Sequence, residues 1–153
     1  MIKFNLSRTK SNIDNKIRNA RKLDSMIKSV ADETRKDIIR RAQRGINIKD
    51  GRFKGYSKQY EAQKRRRGGG SRVNLTLSGD MFNSMVVSKM SRFKYRLHFN
   101  DSFENDKASR HNRGDGKMPK REFFGISRKM RAKLKKRYSN AIKTIIKWFN
   151  CIL

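Results

Sequence analysis

Residues 85–99, Met85-Val86-Val87-Ser88-Lys89-Met90-Ser91-Arg92-Phe93-Lys94-Tyr95-Arg96-Leu97-His98-Phe99, decide the fold class of this chain. Phe93, Tyr95, Leu97 and Phe99 alternate with Lys94, Arg96 and His98. A period of two puts the apolar side chains on one face of a strand and the cationic ones on the other. Val86 and Val87 mark a second strand over Met85–Met90, and Ser91-Arg92 is placed to turn the pair into an antiparallel hairpin. A lone hairpin is marginal in water and needs something packed on its greasy face.

Helical patterns on either side supply that cover. From Thr9 to Arg44 the apolar positions Ile13, Ile17, Ala20, Leu23, Ile27, Val30, Ile38 and Ala42 recur at steps that make one helical stripe. No Pro or Gly interrupts the run, and Gly45 stands where a helix would stop. As one helix it would reach about 50 Å at 1.5 Å per residue. The stripe thins at Ala31–Thr34, so both one helix and two are compatible with it. At the other end, Ser127 is placed to cap a helix over residues 127–150 whose stripe is Met130, Leu134, Tyr138, Ile142, Ile145 and Phe149. The predicted architecture is α+β: a small antiparallel sheet packed by a long N-terminal and a C-terminal helix, with extended loops or arms.

The remaining segments complete one domain over residues 1–153, a length that suits a single core. Ile2, Phe4 and Leu6 alternate within an N-terminal arm or strand over residues 1–8. Residues 45–84 are turn-rich, with a short helix capped by Ser57, a flexible Gly68-Gly69-Gly70 loop, a short strand between Leu75 and Leu77, and a brief helix opened by Ser78-Gly79-Asp80. Residues 101–126 read as an extended polar strap, and the chain's one proline, Pro119, stiffens it.

Charge is the extreme number. The chain has 41 Lys+Arg against 13 Asp+Glu, a formal net charge of +28. Such a surface repels itself and attracts polyanions: nucleic acid, an acidic protein or an anionic membrane. No Asp or Glu follows Glu122, whereas Lys129, Lys133 and Lys136 belong to a dense cationic coat on the last helix. With Arg65, Arg66, Arg67 and Arg72 they are the candidate contacts to DNA or an acidic partner.

Catalytic patterns are missing. One cysteine, Cys151, excludes an intrachain disulfide and a cysteine zinc cluster. Gly68–Ser71 lacks the Gly-Lys-Ser/Thr ending of a phosphate-binding loop. His111-Asn112 would need further ligands for a metal-dependent nuclease, and His98 is the only other histidine. Arg113-Gly114-Asp115 reads as a chance tripeptide. The expectation is a non-enzymatic protein with no cofactor and no metal.

Two blocks carry a family likeness. The first is Asp50-Gly51-Arg52-Phe53, Tyr56-Ser57-x-x-Tyr60, Lys64, then Leu75-Thr76-Leu77-Ser78-Gly79-Asp80-Met81-x-x-Ser84. The second is Ala108, His111-Asn112-x-Gly114, then Met118-Pro119-x-Arg121-x-Phe123-Phe124-Gly125. In this order, ahead of a C-terminal helix, they resemble the tailed-phage virion-morphogenesis family, which includes tail-completion and head–tail joining proteins of Mu-type and related phages. The insertion at Arg65–Gly70 departs from that family's pattern.

The resemblance implies a small structural subunit of the virion, assembled in the host cytoplasm as a ring, with a hexamer as the expected number, at the neck or the top of the tail. Its expected partners are copies of itself, other neck, connector or tail proteins, and genomic DNA in the channel, with no membrane role. His111, Pro119, Arg121, Phe123 and Phe124 are then the candidate strap that grips a neighbouring subunit. The alternative is a stand-alone basic nucleic-acid-binding protein.

Overall fold

The computed structural model describes the backbone of residues 6–116 and 118–150, and the side chains of residues 10–116, 118–140 and 143. In chain order the elements are α1 (Leu6–Gln43), α2 (Lys58–Arg66), α3 (Asp80–Asn83), β1 (Met85–Ser91), β2 (Lys94–Phe99), α4 (Ser102–Arg113) and α5 (Arg128–Asn150). The class is α+β, with a two-stranded antiparallel sheet packed against α1, which also packs on α5.

The long N-terminal pattern forms a single helix of 38 residues, unbroken at Ala31–Thr34. Thr34 turns its hydroxyl back onto the Val30 carbonyl at 2.7 Å, so this polar residue sits within the stripe without breaking the helix. The stop is a Schellman motif: Ile46 N–H donates to Arg41 O at 3.0 Å and Gly45 N–H to Ala42 O at 2.9 Å. Gly45 has φ +75°, and a Cβ there would lie 2.6 Å from the Val73 carbonyl oxygen, so both backbone and space demand glycine. The proposed arm of residues 1–8 falls outside the described residues at 1–5. Leu6–Arg8 belong to α1.

The hairpin pairs Met85 with Phe99, Val87 with Leu97 and Lys89 with Tyr95, which puts these six residues on one face. The turn differs from the expectation by one residue. Ser91 pairs with Lys94, so Arg92-Phe93 make the turn, and Phe93 leaves the strand with φ +63°. Asp24 of α1 holds this conformation, accepting from Phe93 N–H at 2.9 Å and from the Tyr95 hydroxyl at 3.1 Å while pairing with Lys89. One carboxylate therefore fastens the hairpin tip to the long helix.

Three further expectations are corrected. The 101–126 strap is not extended throughout, because residues 102–113 form α4. Asp101 caps it, accepting from Glu104 N–H at 2.8 Å, and left-handed Gly114 ends it. The stretch from Leu75 to Leu77 is not a strand: Leu75 has φ +54° with its side chain in the core, and Leu77 is exposed. The glycine loop is folded back rather than loose. Gly69 N–H donates to Lys64 O at 2.9 Å, and α2 extends far enough to carry Arg65 and Arg66.

The core consists of Ile38 and Ala42 from α1, Phe53, Leu75, Met81 and Phe82 from the turn-rich segment, Met85, Ala108 of α4, and Phe123. Phe82 and Phe123 meet edge to face with centroids 6.0 Å apart. This core lies against the C-terminal part of α1 only. Ile13 and Ile17, on the same stripe nearer the N-terminus, are 51% and 41% exposed.

Candidate functional site

The two sequence blocks meet in space. Asn112, in the last turn of α4, accepts from the backbone N–H groups of Phe123 and Phe124, both at 3.0 Å. Arg121 N–H donates to His111 O at 2.8 Å, and Ile48 N–H to Glu122 O at 2.9 Å. Residues 121–124 are thus laced between the end of α4 and the turn at residues 46–52. That turn is closed by a bridge between Ile46 and Arg52.

Two of the five proposed strap residues lie inside the subunit. Phe123 is fully buried, and Arg121 is 3% exposed. The Arg121 guanidinium donates from Nε to Lys54 O at 3.1 Å and from Nη2 to Gly55 O at 2.8 Å, and stacks 4.9 Å from the Tyr56 ring centroid. These two residues cannot reach a neighbour, because burying them closes this chain's own core; their reading as an interface is corrected accordingly. Phe124 is half-buried against Phe99, with centroids 5.4 Å apart. Pro119 and His111 are half-buried as well.

Beside them is a pocket of about 390 Å³, with Tyr56, Tyr60, Lys107, His111, Pro119 and Arg121 on its wall. Its electrostatics follow from burial. Desolvation pushes the His111 imidazole down to about 4, assisted by the nearby charges of Arg121 and Lys107, so it is neutral at pH 7. Its Nδ1 is buried with no hydrogen-bond partner. Burial also lowers the Arg121 guanidinium below its usual range and raises the Tyr56 hydroxyl. Tyr56 and Tyr60 are tilted by 57° with centroids 4.8 Å apart.

A second cation is built in behind the tyrosines. Lys64, 2% exposed, donates to Arg72 O at 2.9 Å and Asn74 Oδ1 at 2.6 Å, with its ammonium 5.0 Å from the Tyr56 centroid. Desolvation lowers its pKa. Lys64 pins the glycine loop and is no part of the outer surface. The sequence offered only its place in the first block, since a lysine among so many others carries no burial signal of its own.

The proposed polyanion contacts are placed differently. Arg65, Arg66, Arg67 and Arg72 all have exposed side chains, and Arg65 pairs with Glu61 at 2.6 Å. On α5, Lys129, Lys133 and Lys136 are exposed too. Lys133 stands 3.9 Å from Glu33 of α1, which also pairs with Arg137 and accepts from the Tyr138 hydroxyl at 2.9 Å. Carboxylates are spent inside the molecule in this way: Asp24 on the hairpin, Glu33 on α5, Asp37 on Arg40 and Arg41. The surplus positive charge is left facing out.

Among the described residues no group of three or more His, Cys, Asp or Glu is placed to hold a metal ion, and no helix is long and apolar enough to cross a membrane. Comparison of the chain with family models, with curated proteins and with solved structures returns no match.

Proposed function

We propose that this chain is a structural subunit of a tailed-phage virion that assembles with copies of itself as a ring at the head–tail junction or the top of the tail. The observation that carries the reading is the N-terminal half of α1. It continues the apolar stripe of the packed half, yet Ile13 and Ile17 stay exposed, which offers an apolar strip to a second copy of the chain. The order of the two sequence blocks supplies the phage assignment, and the pairing of most carboxylates within the chain supports contact with a polyanion or an acidic ring partner. Negative-stain imaging of the purified protein tests it: annular particles are expected. Uniform small particles that never close into rings would count against it.

The charge supports a second reading, a stand-alone basic nucleic-acid-binding protein. It predicts a monomer that binds duplex DNA with a steep loss of affinity as salt rises.

A further inference from the structure

We propose that the pocket between α2, α4 and the Pro119 segment binds one nucleotide unit, with the base against the tyrosines and the phosphate at Arg121 and Lys107.

The pocket volume, about 390 Å³, falls in the range of about 300–1,000 Å³ usual for small-molecule sites. Its wall combines aromatic faces with cations and includes no carboxylate among the described residues. Tyr60 is 37% exposed, so part of its ring is free to take a stacked partner. Met118 and Pro119 supply a further apolar surface.

The polar groups were built in at a cost. Arg121 is 97% buried by its 3% exposure, a position that a cation occupies only when it has partners. Its Nε and Nη2 serve the Lys54 and Gly55 carbonyls, and its guanidinium also lies on the wall of the pocket. The buried Nδ1 of His111 is unpartnered. Lys107 is held at the rim by Glu104, with both carboxylate oxygens at 2.7 Å. A phosphate at the Arg121 guanidinium would answer the buried charge, and a base would use the aromatic face and the uncharged imidazole.

Charge decides between a nucleotide and an acidic side chain of a protein partner. The pocket opens on a chain of net charge +28, which concentrates polyphosphates around it, and paired tyrosines suit a flat ring better than a carboxylate stem. The same chemistry is offered by a free mononucleotide and by one residue of a single strand. The proposal is independent of ring assembly, because none of the groups invoked lies on the exposed half of α1.

The test is fluorescence anisotropy with a labelled ten-nucleotide single strand over a salt series, on the full chain and on Tyr60→Ala. Tyr60 is partly exposed, so the variant keeps the core intact. The expected result is a loss of about ten-fold in affinity that persists at high salt, the equivalent of one lost stacking contact. The exposed α5 variant Lys136→Gln should weaken binding at low salt and flatten the salt dependence, with the difference from wild type vanishing at high salt. Competition with adenosine 5′-monophosphate separates the sources. Displacement of the strand identifies a site for free nucleotide, and no displacement identifies a site that needs the strand. Equal binding by wild type and Tyr60→Ala at every salt concentration would overturn the proposal. So would a poly-glutamate peptide whose binding, unlike that of the strand, depends on Tyr60.

Discussion

At the scale of single residues, burial redistributes the roles of the second sequence block. Phe123 is a core residue, so Phe123→Ala should lower stability by about 3–5 kcal/mol, the usual range for emptying a buried phenylalanine site. Phe124→Ala should cost less, because that ring is only half-buried. Denaturant unfolding of both variants checks the order. His111 gives a pH signature. Its pKa is about 4 in the folded chain and about 6.5 in an unfolded one, so between those values the unfolded state binds more protons. Stability is therefore full above about 6.5 and falls as pH drops toward 4, with a total on the order of 3 kcal/mol at 1.36 kcal/mol per unit. Chemical unfolding midpoints across that window should show the slope in wild type and a flatter line in His111→Gln.

At the scale of elements, α4 shows why a helix can be hidden in a polar stretch. Its apolar content is almost confined to Ala108, which is buried, and Phe103, which is 71% exposed, so no stripe announced it. The signals present were its ends: Asp101 with Glu104 three residues later, and Gly114 at the stop. Asp101→Ala should cost about 1 kcal/mol and loosen residues 121–124, which hang from Asn112 on the same helix. Hydrogen exchange at Phe123 and Phe124 would read the second effect. The hairpin, the long helix and the Ser127 cap were legible because period and capping agree: Ser127 Oγ accepts from Met130 N–H at 3.1 Å. The shifted turn was not legible. Its cause is Asp24, 69 residues from Phe93 in sequence and bonded to its backbone, and no local pattern reports such a contact. For the same reason the pocket residues were visible only as motif letters. Their convergence depends on α4 and the Pro119 segment folding onto the start of α2.

At the scale of the whole molecule, two features of the described residues face outward: a cationic exterior and the exposed Ile13–Ile17 stretch of α1. The long helix is rooted in the core by Ile38 and Ala42, and its other half displays Ile13 and Ile17. A ring subunit would use that half to reach a neighbour, while the cations would face an acidic partner or DNA and be sensitive to salt. The central claim is assembly through this helix. Its most direct test is the solution mass of the full chain by light scattering, alongside Ile13→Ser/Ile17→Ser. The account predicts a multiple of the 18.0 kDa subunit for wild type, and for the variant a single subunit that still unfolds cooperatively, with a midpoint independent of protein concentration. A wild-type mass of one subunit at every protein concentration would contradict it.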